Sequence, residues 1–91
     1  MEKREKELYK EALGKYGVVN QKWMLIEECG ELVNAFAKLN RGRAKKQDII
    51  TELADVYIMV RQIALWWGLE DFYKEKERKL KRLAERLGKN Y

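Results

Sequence analysis

Two pairs of carboxylates carry the chemistry that this sequence suggests. Glu28 and Glu31 lie in the segment WMLIEECGEL, and Glu52 and Asp55 lie in the segment ELADVYIMV. Because residues three apart are neighbours on a helix, each pair presents its two acids together. A buried charge is costly unless it is paired or bound to a metal, so acids among these apolar residues require a partner.

A divalent cation is the partner that the donor set favours. Four carboxylates gathered in one apolar cleft repel one another, and they must take up protons or gain positive charge. The chain has no histidine and one cysteine, and ligands that are all oxygen favour Mg²⁺ or Mn²⁺ over zinc. A carboxylate-bridged redox site is disfavoured, because di-iron sites in helical bundles add histidines. The main alternative is a set of salt bridges to lysine or arginine across a bundle or dimer interface.

An acidic site that holds Mg²⁺ commonly acts on phosphates. The metal neutralises phosphate oxygens and lowers the pKa of a bound water for attack on phosphorus. The basic segment RGRAKK, residues 41–46, would then hold the rest of a polyphosphate chain.

Four helices must position these residues, and no strand pattern is present. Glycines mark the end of each helix, and Asn20 is a suitable N-cap for the second. The predicted helices span about Glu2–Lys15, Asn20–Asn40, Asp48–Trp67 and Asp71–Leu87. We therefore predict a single all-α domain, residues 1–91, formed by a bundle of about four helices whose core a partner subunit completes.

The apolar spacing of the second predicted helix places its three acids differently. The seam that should face the bundle contains Leu25, Glu28, Leu32, Ala35 and Leu39, at steps of three and four residues. Glu31 lies about 60° round the helix from Glu28, at the edge of this seam. Glu27 lies on the outward side. If the second and third helices pack antiparallel across the basic segment, the two acid pairs face each other.

The third predicted helix is apolar on nearly every side, which indicates burial in the monomer or by a partner subunit. The fourth has only a sparse apolar stripe and is expected to pack on the outside. A domain of 91 residues buries a modest fraction of its surface, so oligomerisation is expected.

Composition and charge limit the setting in which the protein works. The net charge is +5, with basic residues concentrated in 41–46 and 74–86, and the second run is interpreted as a solvated helix face with interleaved acids. The single cysteine, Cys29, fits a reducing cytosol. The charged N-terminus lacks the apolar region of a signal peptide, and the longest apolar run is too short to span a bilayer. A cytoplasmic protein with no membrane contact is expected.

The motif residues resemble a known family. EECGEL, followed after a spacer by ELAD, resembles the E-x-x-E, spacer, E-x-x-D pattern of the MazG-like nucleoside triphosphate pyrophosphohydrolases, an all-α superfamily. The flanking segments GVVNQKWMLIEE and ELADVYIMVRQI are also similar to the family's second and third helices. The resemblance covers about residues 16–68.

The resemblance implies an activity and a set of site residues. Mg²⁺ would be bound by Glu28, Glu31, Glu52 and Asp55, and (d)NTPs would be cleaved to a nucleoside monophosphate and pyrophosphate. A homodimer or homotetramer with shared sites would be the active form. The remaining candidates are Glu27 to orient water or a second metal, Gln21 and Trp23 to line a base or sugar pocket, and Lys38 and Arg43, among several basic residues, to hold phosphates. Gln21 and Trp23 have an alternative interpretation as a surface glutamine and a core or interface tryptophan.

Two functional hypotheses follow from the sequence. The first is a Mg²⁺-dependent nucleotide pyrophosphohydrolase that performs house-cleaning of the nucleotide pool, with no nucleic-acid partner expected. The alternative is a non-enzymatic helical oligomerisation or interaction module whose basic last helix binds nucleic acid or an acidic partner.

Overall fold

The computed structural model describes all residues from 1 to 91 and contains three helices and no strand. The helices are α1 (Lys3–Tyr16), α2 (Val18–Asn40) and α3 (Lys46–Arg86). The all-α class predicted from the sequence is therefore confirmed. The count of four helices is not confirmed: the third and fourth predicted helices lie within α3, on either side of a non-helical residue, Gly68.

The predicted stop at Gly68 is a break within α3. Gly68 has φ 155° and ψ 87°, a backbone conformation that residues with a side chain rarely adopt. The residues on both sides of Gly68 are helical. The helix after the break therefore begins directly after Gly68 and not near Asp71, as predicted. The last part of α3, residues 69–86, therefore continues from the break without a loop.

A single glycine joins α1 to α2. Gly17 has φ 84°, and its N–H donates to the carbonyl of Leu13 at 3.0 Å while its own carbonyl accepts from Gln21 at 3.1 Å. Because this one residue makes the turn, α2 begins at Val18 and the predicted N-cap at Asn20 is wrong. The Asn20 side-chain amide instead donates back to the Tyr16 carbonyl at 2.9 Å.

The loop of residues 41–45 joins α2 to α3, and the two helices pack antiparallel. Gln21 and Gln62 meet at the end far from the loop, and Glu28 approaches Glu52 nearer to it. This arrangement is the one expected when a short connection links neighbouring helices.

A polar network holds α1 against α3. The Nε of Arg61 donates to Glu5 at 2.5 Å, Tyr9 donates its hydroxyl to the same carboxylate at 2.6 Å, and Arg61 also donates to the Tyr57 hydroxyl at 2.9 Å. Hydrogen bonding by Arg61 and then by Tyr9 lowers the pKa of Glu5. Burial, followed by the hydrogen bond to Glu5, raises the pKa of Tyr9 to about 12. Arg61 thus serves as the anchor of α1.

The isolated chain buries little of itself. Seven of its 91 residues are buried, and no large side chain is fully enclosed. The radius of gyration is 15.9 Å, whereas a compact chain of this length has about 12 Å. The apolar surface of α3 is only partly covered, with Ile50, Leu53 and Tyr57 exposed. None of the helices contains an apolar stretch sufficient to cross a membrane.

Candidate metal centre

Three carboxylates converge where α2 packs against α3. One oxygen each from Glu28, Glu31 and Glu52 lies within 4.8 Å of the other two. Glu28 and Glu31 share a face of α2 because they are three residues apart, and Glu52 reaches them from the antiparallel α3. We refer to these three residues as the acid cluster.

The acids of the cluster differ in exposure. Glu28 and Glu52 are half-buried, whereas Glu31 and the neighbouring Glu27 are exposed. The Oε2 atoms of Glu28 and Glu52 are buried and have no hydrogen-bond partner. An unpartnered buried carboxylate oxygen is unfavourable, so both atoms are available to a ligand that brings positive charge.

No cation of the chain neutralises the acid cluster. The salt bridges that the chain forms join other residues, and none includes a member of the cluster or Asp55. The alternative interpretation of these acids as salt-bridge partners therefore fails within the chain.

Burial and repulsion between neighbouring carboxylates shift the pKa values of Glu28 and Glu52. Burial, followed by the charges of Glu31, Asp55 and Glu52, raises the pKa of Glu28. Burial, followed by the charges of Glu31 and Asp55, likewise raises the pKa of Glu52. Asp55 is half-buried and is one turn from Glu52. It therefore adds negative potential to the cluster, although its oxygens are not among those that converge within 4.8 Å.

The donor set of the acid cluster fits a hard divalent cation. All of its ligand atoms are carboxylate oxygens, the class that Mg²⁺ and Mn²⁺ prefer. Glu28 and Glu52 each keep one oxygen without any partner, and a divalent charge would relieve the repulsion that, with burial, raises both pKa values.

A cleft of about 390 Å³ connects the acid cluster to two basic side chains. Glu31 and Glu52 line one part of it, and Lys38 and Arg43 line another. The backbone N–H of Arg43 donates to the carbonyl of Lys38 at 2.8 Å, so both basic side chains leave from the same turn at the end of α2. The structure therefore brings two of the predicted phosphate-binding residues to the acids.

Three polar residues of the cleft were not predicted from the sequence: Asn34, Asp48 and Thr51. Asn34 is three residues after Glu31, and Asp48 is four residues before Glu52, so helical spacing would have placed both beside the acids. Asp48 also caps α3, because its carboxylate accepts the N–H of Lys45 at 2.8 Å. This contact explains why α3 begins at Lys46, slightly before the predicted start.

The other predicted site residues do not line the cleft: Glu28, Asp55, Gln21, Trp23 and Glu27. Gln21 is buried, and its side-chain oxygen accepts a hydrogen bond from Gln62, so its interpretation as a surface glutamine is wrong. Trp23 is 60% exposed, and Glu27 is exposed. Neither lines the cleft with the acids.

Comparison of this chain with protein-family models, with curated proteins and with solved structures finds no match. The functional interpretation therefore depends on the motif residues and on the geometry described above.

Proposed function

We propose that this protein is a Mg²⁺-dependent nucleoside triphosphate pyrophosphohydrolase that acts as a homo-oligomer. The observation that supports the proposal most strongly is the acid cluster itself, in which two half-buried carboxylates keep unpartnered oxygens. The placement of Lys38 and Arg43 on the same cleft gives the second half of a site for a metal-bound polyphosphate.

The acid cluster would hold the metal. Asp55 would add negative charge beside the cluster or bind the metal as a further ligand. Mg²⁺ bound there would offset phosphate charge and activate water for attack on phosphorus. The role of the chain is to keep three carboxylates together on two packed helices, so that the site exists before the ion arrives. Rigid placement of this kind lowers the cost of binding.

Lys38 and Arg43 would bind the phosphate oxygens that are not held by the metal of the acid cluster. The guanidinium of Arg43 offers paired N–H donors suited to a phosphate, while the ammonium of Lys38 acts as a point charge. Asn34 and Thr51 add neutral hydrogen-bonding groups on the same cleft. The geometry of this chain supports no role for Glu27, because its oxygens are not among those that converge with Glu28 and Glu52 and its charge is not among those that raise their pKa values.

The alternative of a nucleic-acid-binding module has less support. Ion pairs join Lys74 to Glu70 and both Arg78 and Lys79 to Glu75. These acids offset part of the positive charge of the basic run, as expected for a solvated helix face. Exposed pairs of this kind contribute little to stability.

Incubation of the protein with a panel of ribo- and deoxyribonucleoside triphosphates and Mg²⁺ tests the proposed function. Anion-exchange chromatography should show a nucleoside monophosphate and pyrophosphate in equal amounts. The double variant Glu28→Gln/Glu52→Gln should be inactive, and Glu11→Gln, an exposed glutamate of α1, is the matched control. Absence of both products with every nucleotide would reject the proposal.

A further inference from the structure

The turn that ends α2 has the hydrogen bonds of a Schellman motif. The N–H of Gly42 donates to the carbonyl of Leu39 at 3.0 Å. The N–H of Arg43 donates to the carbonyl of Lys38 at 2.8 Å. Gly42 has φ 71°, the left-handed conformation that this motif uses directly after the helix. The chain therefore turns back at Gly42, and the backbone of Arg43 is fastened to that of Lys38.

The two residues joined by the wider hydrogen bond of this motif are the two basic residues of the cleft. Lys38 and Arg43 both line the cleft, and so does Ala44, which follows Arg43 directly. Lys38 is held by α2, whereas Arg43 belongs to no helix. The direction in which the Arg43 side chain leaves the backbone therefore depends on the turn at Gly42.

The other end of the loop is also held by hydrogen bonds. The carboxylate of Asp48 accepts the N–H of Lys45 at 2.8 Å, and the carbonyl of Lys45 accepts the N–H of Asp48 at 3.0 Å. Only Ala44 lies between this cap and the turn that ends at Arg43. A loop that is short and fastened at both ends loses little conformational freedom when a ligand binds.

The conformation of Gly42, and not the space around it, restricts which residue fits there. A Cβ placed on Gly42 meets no atom within 4 Å, so a larger residue would cause no clash. A residue with a side chain is nevertheless disfavoured in the left-handed conformation by roughly 5- to 30-fold. Asparagine adopts this conformation more readily than other such residues, and β-branched residues are genuine outliers there.

We propose that Gly42 is a positioning residue of the phosphate site, because its left-handed turn directs Arg43 into the cleft beside Lys38. This role rests on the proposed function, in which Lys38 and Arg43 bind phosphate oxygens. The acid cluster is formed by residues within α2 and α3, so the binding of a metal should not require the turn. Substitution of Gly42 should therefore weaken phosphate binding and leave metal binding unchanged.

Gly88 offers a matched control, because it makes the same turn at the end of α3. It has φ 67°, and its N–H donates to the carbonyl of Glu85 at 3.0 Å, while the N–H of Lys89 donates to that of Ala84 at 2.8 Å. A Cβ on Gly88 also meets no atom within 4 Å. Gly88 does not line the cleft, so valine there repeats the backbone strain of Gly42→Val away from the site.

Isothermal titration calorimetry with Mg²⁺ and imidodiphosphate, an uncleavable analogue of pyrophosphate, tests the role of Gly42. Gly42→Val should raise the dissociation constant by about fivefold or more, because affinity falls with the fraction of chains that keep the turn. Gly42→Asn should bind within about twofold of the wild type, since asparagine tolerates the left-handed conformation. Gly88→Val should bind like the wild type, although denaturant unfolding should show the two valine variants destabilised to a similar extent. Mn²⁺ binding should be the same in all four proteins.

The results that would contradict this role differ from those that would reject the proposed function. Equal affinity of the wild type and Gly42→Val for imidodiphosphate would overturn the role of Gly42 alone. The same would follow from an equal loss of affinity in Gly88→Val, from a loss in Gly42→Asn as large as that in Gly42→Val, or from a loss of Mn²⁺ binding in Gly42→Val. A wild-type protein that binds Mn²⁺ but no imidodiphosphate would reject the phosphate site itself, and with it the role of Gly42.

Discussion

Glu28 of α2 and Glu52 of α3 hold carboxylate oxygens within 4.8 Å of each other, while the Oε2 atom of each is buried without a partner. Like charges so close and partly removed from water oppose folding when both are ionised. The chain therefore carries an unfavourable contact at the point where its two longest helices meet. A divalent cation would convert this contact into a favourable one, and the stability of the protein should report the difference.

Addition of Mg²⁺ should raise the melting temperature of the wild-type protein. A ligand at 100 times its dissociation constant stabilises the folded state by about 2.7 kcal/mol, which corresponds to roughly 10–20 °C for a domain of this size. Differential scanning calorimetry should show no such rise for Glu28→Gln/Glu52→Gln. Without Mg²⁺ the same variant should melt at or above the wild-type temperature, because the repulsion is gone. A variant much less stable than the metal-free wild type would instead show that these acids support the fold.

The metal-free protein should lose stability as the pH rises above the ordinary glutamate pKa of 4.5. The folded-state pKa values of Glu28 and Glu52 are raised, so the folded chain holds protons that the unfolded chain has released. Stability then falls with pH until both groups are ionised in the folded state as well. Urea unfolding measured across this range should show the fall in the wild type and a flatter profile in Glu28→Gln/Glu52→Gln.

Glu5 supplies the control for the pH experiment, because its pKa is shifted the other way. Arg61 and Tyr9 lower the folded-state pKa of Glu5, so its contribution is present above 4.5 and is lost as the pH falls through the lowered value. Glu5→Gln should reduce the loss of stability at acid pH. The decrease in stability above pH 4.5 should remain in this variant. If Glu5→Gln removed the fall above 4.5, the assignment of that fall to the acid cluster would be wrong.

Arg43→Ala should lower kcat/KM for the preferred nucleotide by roughly 10- to 150-fold, because a charge-assisted hydrogen bond contributes roughly 1.5–3 kcal/mol. Lys38→Ala should act in the same direction. Arg41→Ala is the matched control, since Arg41 lies in the same loop and does not line the cleft. Steady-state kinetics of the three variants would contradict the phosphate assignment if Arg41→Ala were as damaging as Arg43→Ala.

Gly68→Ala should destabilise the protein by about 1–3 kcal/mol, because its positive φ strains any residue with a side chain. Gly14 is the matched control, since it lies within α1 with open space around it. Gly14→Ala should stabilise the protein by about 0.5–1 kcal/mol through a better helix propensity. If denaturant unfolding showed that both substitutions stabilise, α3 would be continuous through Gly68.

Helical spacing predicted much of the candidate site. It placed Glu28 inside the α2 seam, and it allowed the two acid pairs to meet across an antiparallel hairpin. Gly68 was predicted as the end of the third helix, and α3 has a break there, but the resumption of helix directly after that residue could not be foreseen, since a glycine with positive φ can either end a helix or interrupt it. The sequence also left open what covers the apolar faces of α2 and α3, because a hydrophobic pattern does not identify its partner. Trp23 illustrates this point: the base pocket expected for it does not form within one chain.

The most direct test of a metal centre formed by these acids is a Mn²⁺ titration followed by electron paramagnetic resonance, which counts the free ion. The wild-type protein and Glu11→Gln should bind Mn²⁺, and added Mg²⁺ should displace it. Glu28→Gln/Glu52→Gln should leave the ion free while keeping its helical circular dichroism. Equal Mn²⁺ binding by the wild type and this double variant, or no binding by the wild type at millimolar ion, would contradict the assignment.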